Sequence, residues 1–135
     1  MEYNEINIGD KAAIEKTITK YDVELFAKLS LDNNPLHLDP EYGSTSIFKD
    51  NIVHGILVSS LISAVIGNLL PGHGTVYMSQ SLHFKKPVYF GDKCIAEVEV
   101  TAKKDEKKII FLNTIVYVES KENVVITGEA VVKKP

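Results

Sequence analysis

The run GILVSSLISAVIGNLL at residues 55–70 sets the architecture expected of this chain. Its apolar side chains cover much of the circumference of a helix, and a helix that is apolar nearly all round is buried. Three serines within the run are small, and their hydroxyls can bond back to backbone carbonyls. The apolar stretch from Ile52 to Leu70 is too short and too interrupted for a membrane span. We therefore predict a long central helix that the rest of the chain encloses.

The sequence on either side of this helix predicts strands. Apolar and polar residues alternate in the clearest of them, as is typical of half-buried antiparallel strands, whereas residues 109–119 are apolar on both faces and suit a central strand. The predicted strands are residues 11–18 before the helix, and 76–85, 94–103, 109–119 and 124–133 after it. Thr19 to Asp22 resembles a capping box that opens a short helix. This order is α+β, and a curled antiparallel sheet around one central α-helix accounts for both patterns.

Length, composition and charge narrow the class of protein. With 135 residues, 44% of them apolar, the chain is expected to form one domain over residues 1–135. A net charge of −3 gives no reason to expect nucleic acid or a membrane as a partner. The single cysteine, Cys94, excludes an internal disulfide and is expected in the core. No secretory signal is visible, so we expect a cytoplasmic protein.

The segment Asp32-Asn33-Asn34-Pro35-Leu36-His37 carries the candidate chemistry. It places a carboxylate and an imidazole five positions apart across a tight turn. Two such groups that converge on one point can hold a water between them and move its protons. In the alternative interpretation, Asp32 and Asn34 bond their own backbone in an Asx-type turn and His37 packs nearby.

His54 and Gly55 stand at the start of the predicted central helix. The first N–H groups of a helix lack internal partners and lie at the positive end of its dipole. The N–H of Gly55 could therefore stabilise negative charge on a bound carbonyl oxygen. The alternative is that Gly55 only permits a tight junction between loop and helix. For His54, contact with a ligand and a structural role at the helix start are both open.

The stretch from Leu29 to Leu57 resembles the MaoC-like hydratases, in particular the short single-domain (R)-specific enoyl-CoA hydratases. The family pattern is approximately D-x-N-P-x-H-x-D, then a phenylalanine, then I-x-H-G. The matching residues are Asp32, Asn34, Pro35, His37, Asp39, Phe48, Ile52, His54 and Gly55. The later run from Gly74 to Val88 and the turn at Phe90-Gly91-Asp92 are also similar, so the resemblance extends over nearly the whole chain.

The resemblance implies a hot-dog fold and a hydro-lyase that adds water in syn fashion to a trans-2-enoyl-CoA, giving an (R)-3-hydroxyacyl-CoA. It implies that Asp32 and His37 are the catalytic pair and that Gly55 is the oxyanion donor. Asn34 is expected to brace the turn. Coenzyme A enters as the carrier of the substrate, with no separate cofactor, and a homodimer is expected. Where family members usually have glycine before the aspartate, this chain has Leu31, which could narrow the approach or shift the turn.

Further candidate residues and rival functions remain open. Ser63, Ile66 and Val131 are expected to line an acyl pocket, with core packing as their alternative. His37 and Asp39 could suggest a metal pair, but no third ligand follows at useful spacing, so no metal is expected. The rival functions are a hot-dog acyl-CoA thioesterase, a dehydratase of acyl-carrier-protein substrates, and a non-catalytic acyl-CoA-binding module. Chain-length preference, direction and pathway are not readable from the sequence.

Overall fold

The computed structural model describes residues 1–135, which form one antiparallel six-stranded sheet and four α-helices. The helices are α1 (Lys20–Ser30), α2 (Pro35–Leu38), α3 (Pro40–Thr45) and α4 (Gly55–Asn68). The strands are β1 (Lys11–Thr17), β2 (Val76–Gln80), β3 (His83–Phe84), β4 (Lys93–Lys104), β5 (Ile109–Val118) and β6 (Val124–Lys133). Strands β1, β4, β5, β6 and β2 are neighbours in that order, and β3 also pairs with β6. The sheet is therefore open, with β1 and β2 at its edges.

Helix α4 starts at Gly55 as predicted and packs against β4, β1 and β5. Ile62 and Val65 on its inner side are completely buried. The helix is not enclosed on every side, however. Ile56 is 57% exposed, and Ser60 and Ser63 are exposed as well. The prediction of a helix buried all round is therefore wrong for one face, which in this single chain is open to solvent.

The strands after α4 follow the predicted alternation with one exception. In β4 the alternate residues Cys94, Ala96 and Val98 are fully buried, as half-buried strands require. Burial raises the pKa of the Cys94 thiol to about 11, which fits the expected core role. The single strand predicted at residues 76–85 is instead the two strands β2 and β3. Between them, the carbonyl oxygen of Ser81 lies 1.9 Å from where a Cβ would stand at position 128, so the break depends on Gly128.

Helices α1 to α3 connect β1 to the start of α4. The predicted capping box is confirmed, because Thr19 Oγ1 accepts from the Asp22 N–H and the Asp22 carboxylate accepts from the Thr19 N–H. Helix α1 ends at Leu31, which has φ 68° and ψ 10° in the left-handed region. A glycine is the usual residue at this position of a helix end. None of the four helices has the length and apolar character needed to cross a membrane.

Candidate active site

The turn after α1 is fixed by two consecutive bonds from side chains to backbone. The Asn34 N–H donates to Asp32 Oδ1 at 3.2 Å, and the Leu36 N–H donates to Asn34 Oδ1 at 3.0 Å. Asn34 thereby caps α2, with Pro35 at the first helical position. The Asx-type turn is thus present, and Asn34 braces it as expected. This turn also sets the direction of the Asp32 side chain.

His37 is buried, and its orientation is fixed by one strong hydrogen bond. Its Nδ1 lies 2.7 Å from the carbonyl oxygen of Ile52. Because a carbonyl can only accept, Nδ1 carries a proton, and in the neutral ring Nε2 is then left with its lone pair. Nε2 of the neutral ring is therefore able to accept a proton from a molecule bound beside it.

Asp32, His37 and His54 converge. One carboxylate oxygen of Asp32 and one ring nitrogen of each histidine all lie within 4.8 Å of one another. A separation of this size leaves room for a water that bonds both Asp32 and His37. The Asx turn and the convergence coexist, so the two interpretations of this segment are not exclusive. The catalytic roles of Asp32 and His37 stay predictions that this geometry fits.

His54 lies behind His37 and is only 2% exposed. Its ring stacks on that of His37, with centroids 3.9 Å apart, and the edge of Phe26 packs on it at 4.9 Å. Nε2 of His54 donates to the backbone carbonyl of Asp32 at 3.1 Å, while Nδ1 has no partner. Burial lowers the pKa of His54 below its usual 6.5, so the neutral ring is favoured. Through these contacts His54 joins the Asp32 turn to the His37 ring, which favours the structural alternative for this residue.

The backbone N–H of Gly55 donates no hydrogen bond within the chain. The first intrahelical bond of α4 runs from the Val58 N–H to the His54 carbonyl, so Gly55 lies in the first turn, where N–H groups are unpaired. A Cβ at position 55 would stand 2.7 Å from two ring atoms of Phe84. A side chain at position 55 would therefore have to displace the Phe84 ring, and Gly55 lines the same pocket as His37.

Asn51 is a buried residue that sequence reasoning missed. Its Nδ2 donates at 2.9 Å to the carbonyl oxygens of Leu36 and Asp39, and that of Pro35 lies at 3.4 Å. One amide group thus holds the backbone on both sides of His37. Nothing in the sequence marks this role, because an asparagine beside a loop is ordinary and its partners lie 12 to 16 positions away.

A pocket of about 460 Å³ opens next to His37 and Gly55, within the usual size range of small-molecule sites. Buried Val58, Val88 and Ile126 form its floor. Its full lining is His37, Phe48, Ile52, Val53, Gly55, Ile56, Val58, Phe84, Lys85, Lys86, Pro87, Val88 and Ile126. Asp32 and His54 are not part of this wall and lie beside and behind His37.

The three residues expected to line an acyl pocket lie in different places. Ser63 borders a second groove of about 340 Å³ between α4 and β2, and Ile56 belongs to both pockets. Ile66 is buried in the main apolar core, and Val131 is half-buried on β6. Neither Ile66 nor Val131 lines either pocket in this single chain. A role of these residues in chain-length selection stays a prediction.

Asp32, His37 and His54 are also the one group of side chains with metal-ligand chemistry. The two imidazoles stack with 29° between their planes, so their in-plane lone pairs do not aim at a common centre. Asp39 instead caps α3, because its Oδ1 accepts from the Glu41 N–H at 3.0 Å. The arrangement therefore favours acid–base chemistry on a bound water.

The structure combines an antiparallel sheet packed on one helix with the Asp32–His37 pair beside the start of that helix. The chain belongs to the MaoC like domain family, whose model matches residues 4–123. The chain is 46% identical over its full length, and over 100% of the relative, to the (R)-specific enoyl-CoA hydratase of Aeromonas caviae. It is 39% identical, over 93% of its length and 75% of the relative, to the mitochondrial 3-hydroxyacyl-[acyl-carrier-protein] dehydratase of Arabidopsis thaliana.

A solved structure of the (R)-hydratase from A. caviae superposes with a TM-score of 0.92 at 47% identity, covering 96% of this chain and 98% of that one. The hot-dog fold predicted from the resemblance is thereby confirmed. The match extends along nearly all of both chains, so it includes the Asp32 turn, α4 and the C-terminal strands together.

Proposed function

We propose that this protein is an (R)-specific enoyl-CoA hydratase, a hydro-lyase that reversibly adds water to trans-2-enoyl-CoA thioesters. The observation that carries the proposal is that a carboxylate, an imidazole and an unpaired amide lie close together. The Asp32 carboxylate and a His37 nitrogen lie within 4.8 Å of each other, His37 and Gly55 line one pocket, and the Gly55 N–H has no partner within the chain. The full-length similarity to the A. caviae hydratase supports the same reaction.

In this mechanism Asp32 and His37 hold one water against the β carbon of the enoyl group. The water oxygen bonds to the β carbon, one member of the pair takes its proton, and the α carbon receives a proton from the same face. Positioned acid–base groups of this kind contribute roughly 10²–10⁴ in rate. Syn addition follows because both groups act from one side of the double bond.

The N–H of Gly55 donates to the thioester oxygen as negative charge develops there. A donor of this kind stabilises the transition state by about 3–4 kcal/mol when it is already aimed at the oxygen. Gly55 is suited to this role because its amide has no competing partner and glycine adds no side chain of its own. The wall of apolar residues around it strengthens the interaction by excluding water.

Asp32→Asn and His37→Gln test the function directly. Each is expected to lose hydration of crotonyl-CoA by about two to four orders of magnitude while the circular dichroism spectrum is unchanged. Asp39→Asn and His73→Gln are matched controls, since Asp39 caps a helix where asparagine also serves and His73 is exposed in a loop. Full activity in either of the first two variants would reject the assignment.

The rival functions give different signals in the same assay. A hydratase removes the ultraviolet absorbance of the conjugated enoyl thioester without releasing free thiol. A thioesterase releases thiol, and a binding module does neither. Crotonyl-acyl carrier protein compared with crotonyl-CoA separates the hydratase from a dehydratase of carrier-protein substrates.

The proposal includes a homodimer located in the cytoplasm. The homodimer is supported by the open face of α4 beside edge strand β2, where Ile56 and Met78 are each more than half exposed. Unpaired sheet edges and apolar surfaces of this kind are usually covered by a partner. Sedimentation velocity is expected to give twice the chain mass of 15.0 kDa. Met78→Glu is expected to shift the protein to monomer, and a monomeric wild type would reject this part of the proposal.

A further inference from the structure

Two adjacent lysines line the same pocket just beyond the end of β3, where the backbone bends. The N–H groups of Lys85 and Lys86 both donate to one acceptor, the carbonyl of Val125, at 2.8 and 3.4 Å. Both residues therefore lie outside the regular strand but stay attached to β6 through this shared acceptor. Consecutive side chains of a regular strand point to opposite faces. Here both lysines line the pocket that contains His37 and Gly55.

The charge of these lysines is not compensated by the protein. Neither ammonium group has an ion-pair partner, since the ion pairs of the chain all use other lysines. None of the residues that line the pocket is acidic. Both lysines are exposed, whereas Val58 and Val88 on the floor are buried, so the charges lie at the rim. A chain with net charge −3 therefore carries a local positive patch beside its candidate active site.

We propose that Lys85 and Lys86 form an anion site for the nucleotide phosphates of the coenzyme A carrier, an inference that rests on the proposed function. When the thioester oxygen is at Gly55, the pantetheine arm leads the phosphates away from the buried floor and toward the rim. Lysine ammonium groups suit this task because they bind phosphate as mobile point charges. Because both lysines line the pocket, the positive charge on one side of the arm is doubled.

The kinetic test compares crotonyl-CoA with crotonyl-pantetheine, which has the same reacting group and arm but no phosphates. The Lys85→Ala/Lys86→Ala variant is expected to raise KM for crotonyl-CoA about tenfold with kcat unchanged, and to leave crotonyl-pantetheine turnover unaltered. Added salt is expected to raise the KM of the wild type more than that of the variant. Lys20→Ala/Lys28→Ala, on exposed positions of α1 outside the pocket, is the matched control.

Direct binding separates this inference from the proposed function. Calorimetric titration with coenzyme A itself is expected to show about tenfold weaker binding to the double variant than to the wild type. If the wild type hydrates neither thioester, the proposed function is wrong, and this titration still decides the role of the lysines. Equal KM for crotonyl-CoA in wild type and variant would overturn the site. The site would also be overturned if the double variant lost the same factor in activity on crotonyl-CoA and on crotonyl-pantetheine. A loss of activity on crotonyl-acyl carrier protein alone would overturn it as well.

Discussion

The loop segment from Asp32 to His54 and the core between α4 and the sheet are held together by different interactions. In the loop segment the buried side chains other than Val53 are polar, and His37, Asn51 and His54 each bond a backbone carbonyl of the segment itself. In the core the buried side chains are apolar, and Ile62 and Val98 are completely enclosed. Hydrogen bonds depend on direction and so fix atoms in place. Burial of apolar area has no direction and mainly supplies stability.

The largest effect on stability is expected from the core. Ile62→Ala removes a fully buried side chain and should lower the free energy of unfolding by about 3–4 kcal/mol, a large part of the total for a domain of this size. Because the loop segment keeps its hydrogen bonds, kcat of the folded enzyme should change little. Urea unfolding followed by circular dichroism measures the first quantity, and crotonyl-CoA turnover the second.

Ile47→Ala is the control, because Ile47 is 87% exposed and its truncation should cost less than about 0.5 kcal/mol. A stable Ile62→Ala protein with a low kcat would contradict the division of roles, since it would show that core packing sets the position of the catalytic pair.

A smaller loss of stability with a larger loss of rate is expected from Asn51→Asp. The substitution keeps the shape but replaces the donor with a carboxylate that faces the carbonyl oxygens of Leu36 and Asp39. An unpaired buried polar group costs about 1–3 kcal/mol, and the displaced backbone carries His37 with it. Asn113→Asp, on an exposed position of β5, is the matched control. If both variants retain wild-type kcat, the Asn51 bonds do not hold the site.

Titration of His54 is expected to make the free energy of unfolding depend on pH. Burial lowers its pKa in the folded protein, whereas in the unfolded chain it has the usual value near 6.5. Below pH 6.5 the unfolded state therefore binds a proton that the folded state resists, so stability is fully present above 6.5 and is lost as pH falls from there to the folded pKa. Urea midpoints of wild type and His54→Gln between pH 7.5 and 4.5 test this.

The glutamine variant keeps a side-chain donor for the Asp32 carbonyl but has no titrating group, so its stability should fall less over this interval. His73→Gln, at an exposed loop position, should behave like the wild type. Parallel curves for wild type and His54→Gln would show that another group carries the pH dependence.

The parts of the fold that depend on neighbours in sequence could be predicted, and those that depend on distant contacts could not. The start of α4 at Gly55 and the alternation in β4 follow from local residue order. The division of residues 76–85 into two strands depends on Ser81 meeting Gly128 across the sheet. The exposed face of α4 could not be predicted from the sequence either, because the same apolar residues are compatible with burial by the chain itself or by a partner.

The candidate site shows the same division. Asp32, His37 and Gly55 could be proposed because the chemistry and the spacing lie in one short pattern. Asn51 could not, since its carbonyl partners are brought to it only by the fold. Lys85 and Lys86 share one pocket because the strand ends at Phe84, and the alternation of the longer strand predicted there gives the opposite.

The smallest expected change in stability comes from local backbone strain at Leu31, which involves neither the hydrogen bonds of the loop segment nor the apolar core. Leu31 adopts φ 68° where the family usually has glycine, and its side chain is 81% exposed. The left-handed conformation costs a leucine about 1–2 kcal/mol, part of which the greater unfolded-state freedom of glycine offsets. Leu31→Gly should therefore raise the free energy of unfolding by about 0.5–1 kcal/mol with kcat unchanged, because the Asp32 turn keeps its backbone conformation.

Leu29→Gly is the matched control of opposite sign. Leu29 is equally exposed but lies inside α1, where glycine costs up to about 1 kcal/mol, so this variant should be destabilised. Guanidinium unfolding of the two variants beside the wild type measures both shifts. If Leu31→Gly is less stable than the wild type, the leucine side chain gains more from its contacts than its backbone conformation costs, and the strain argument is wrong.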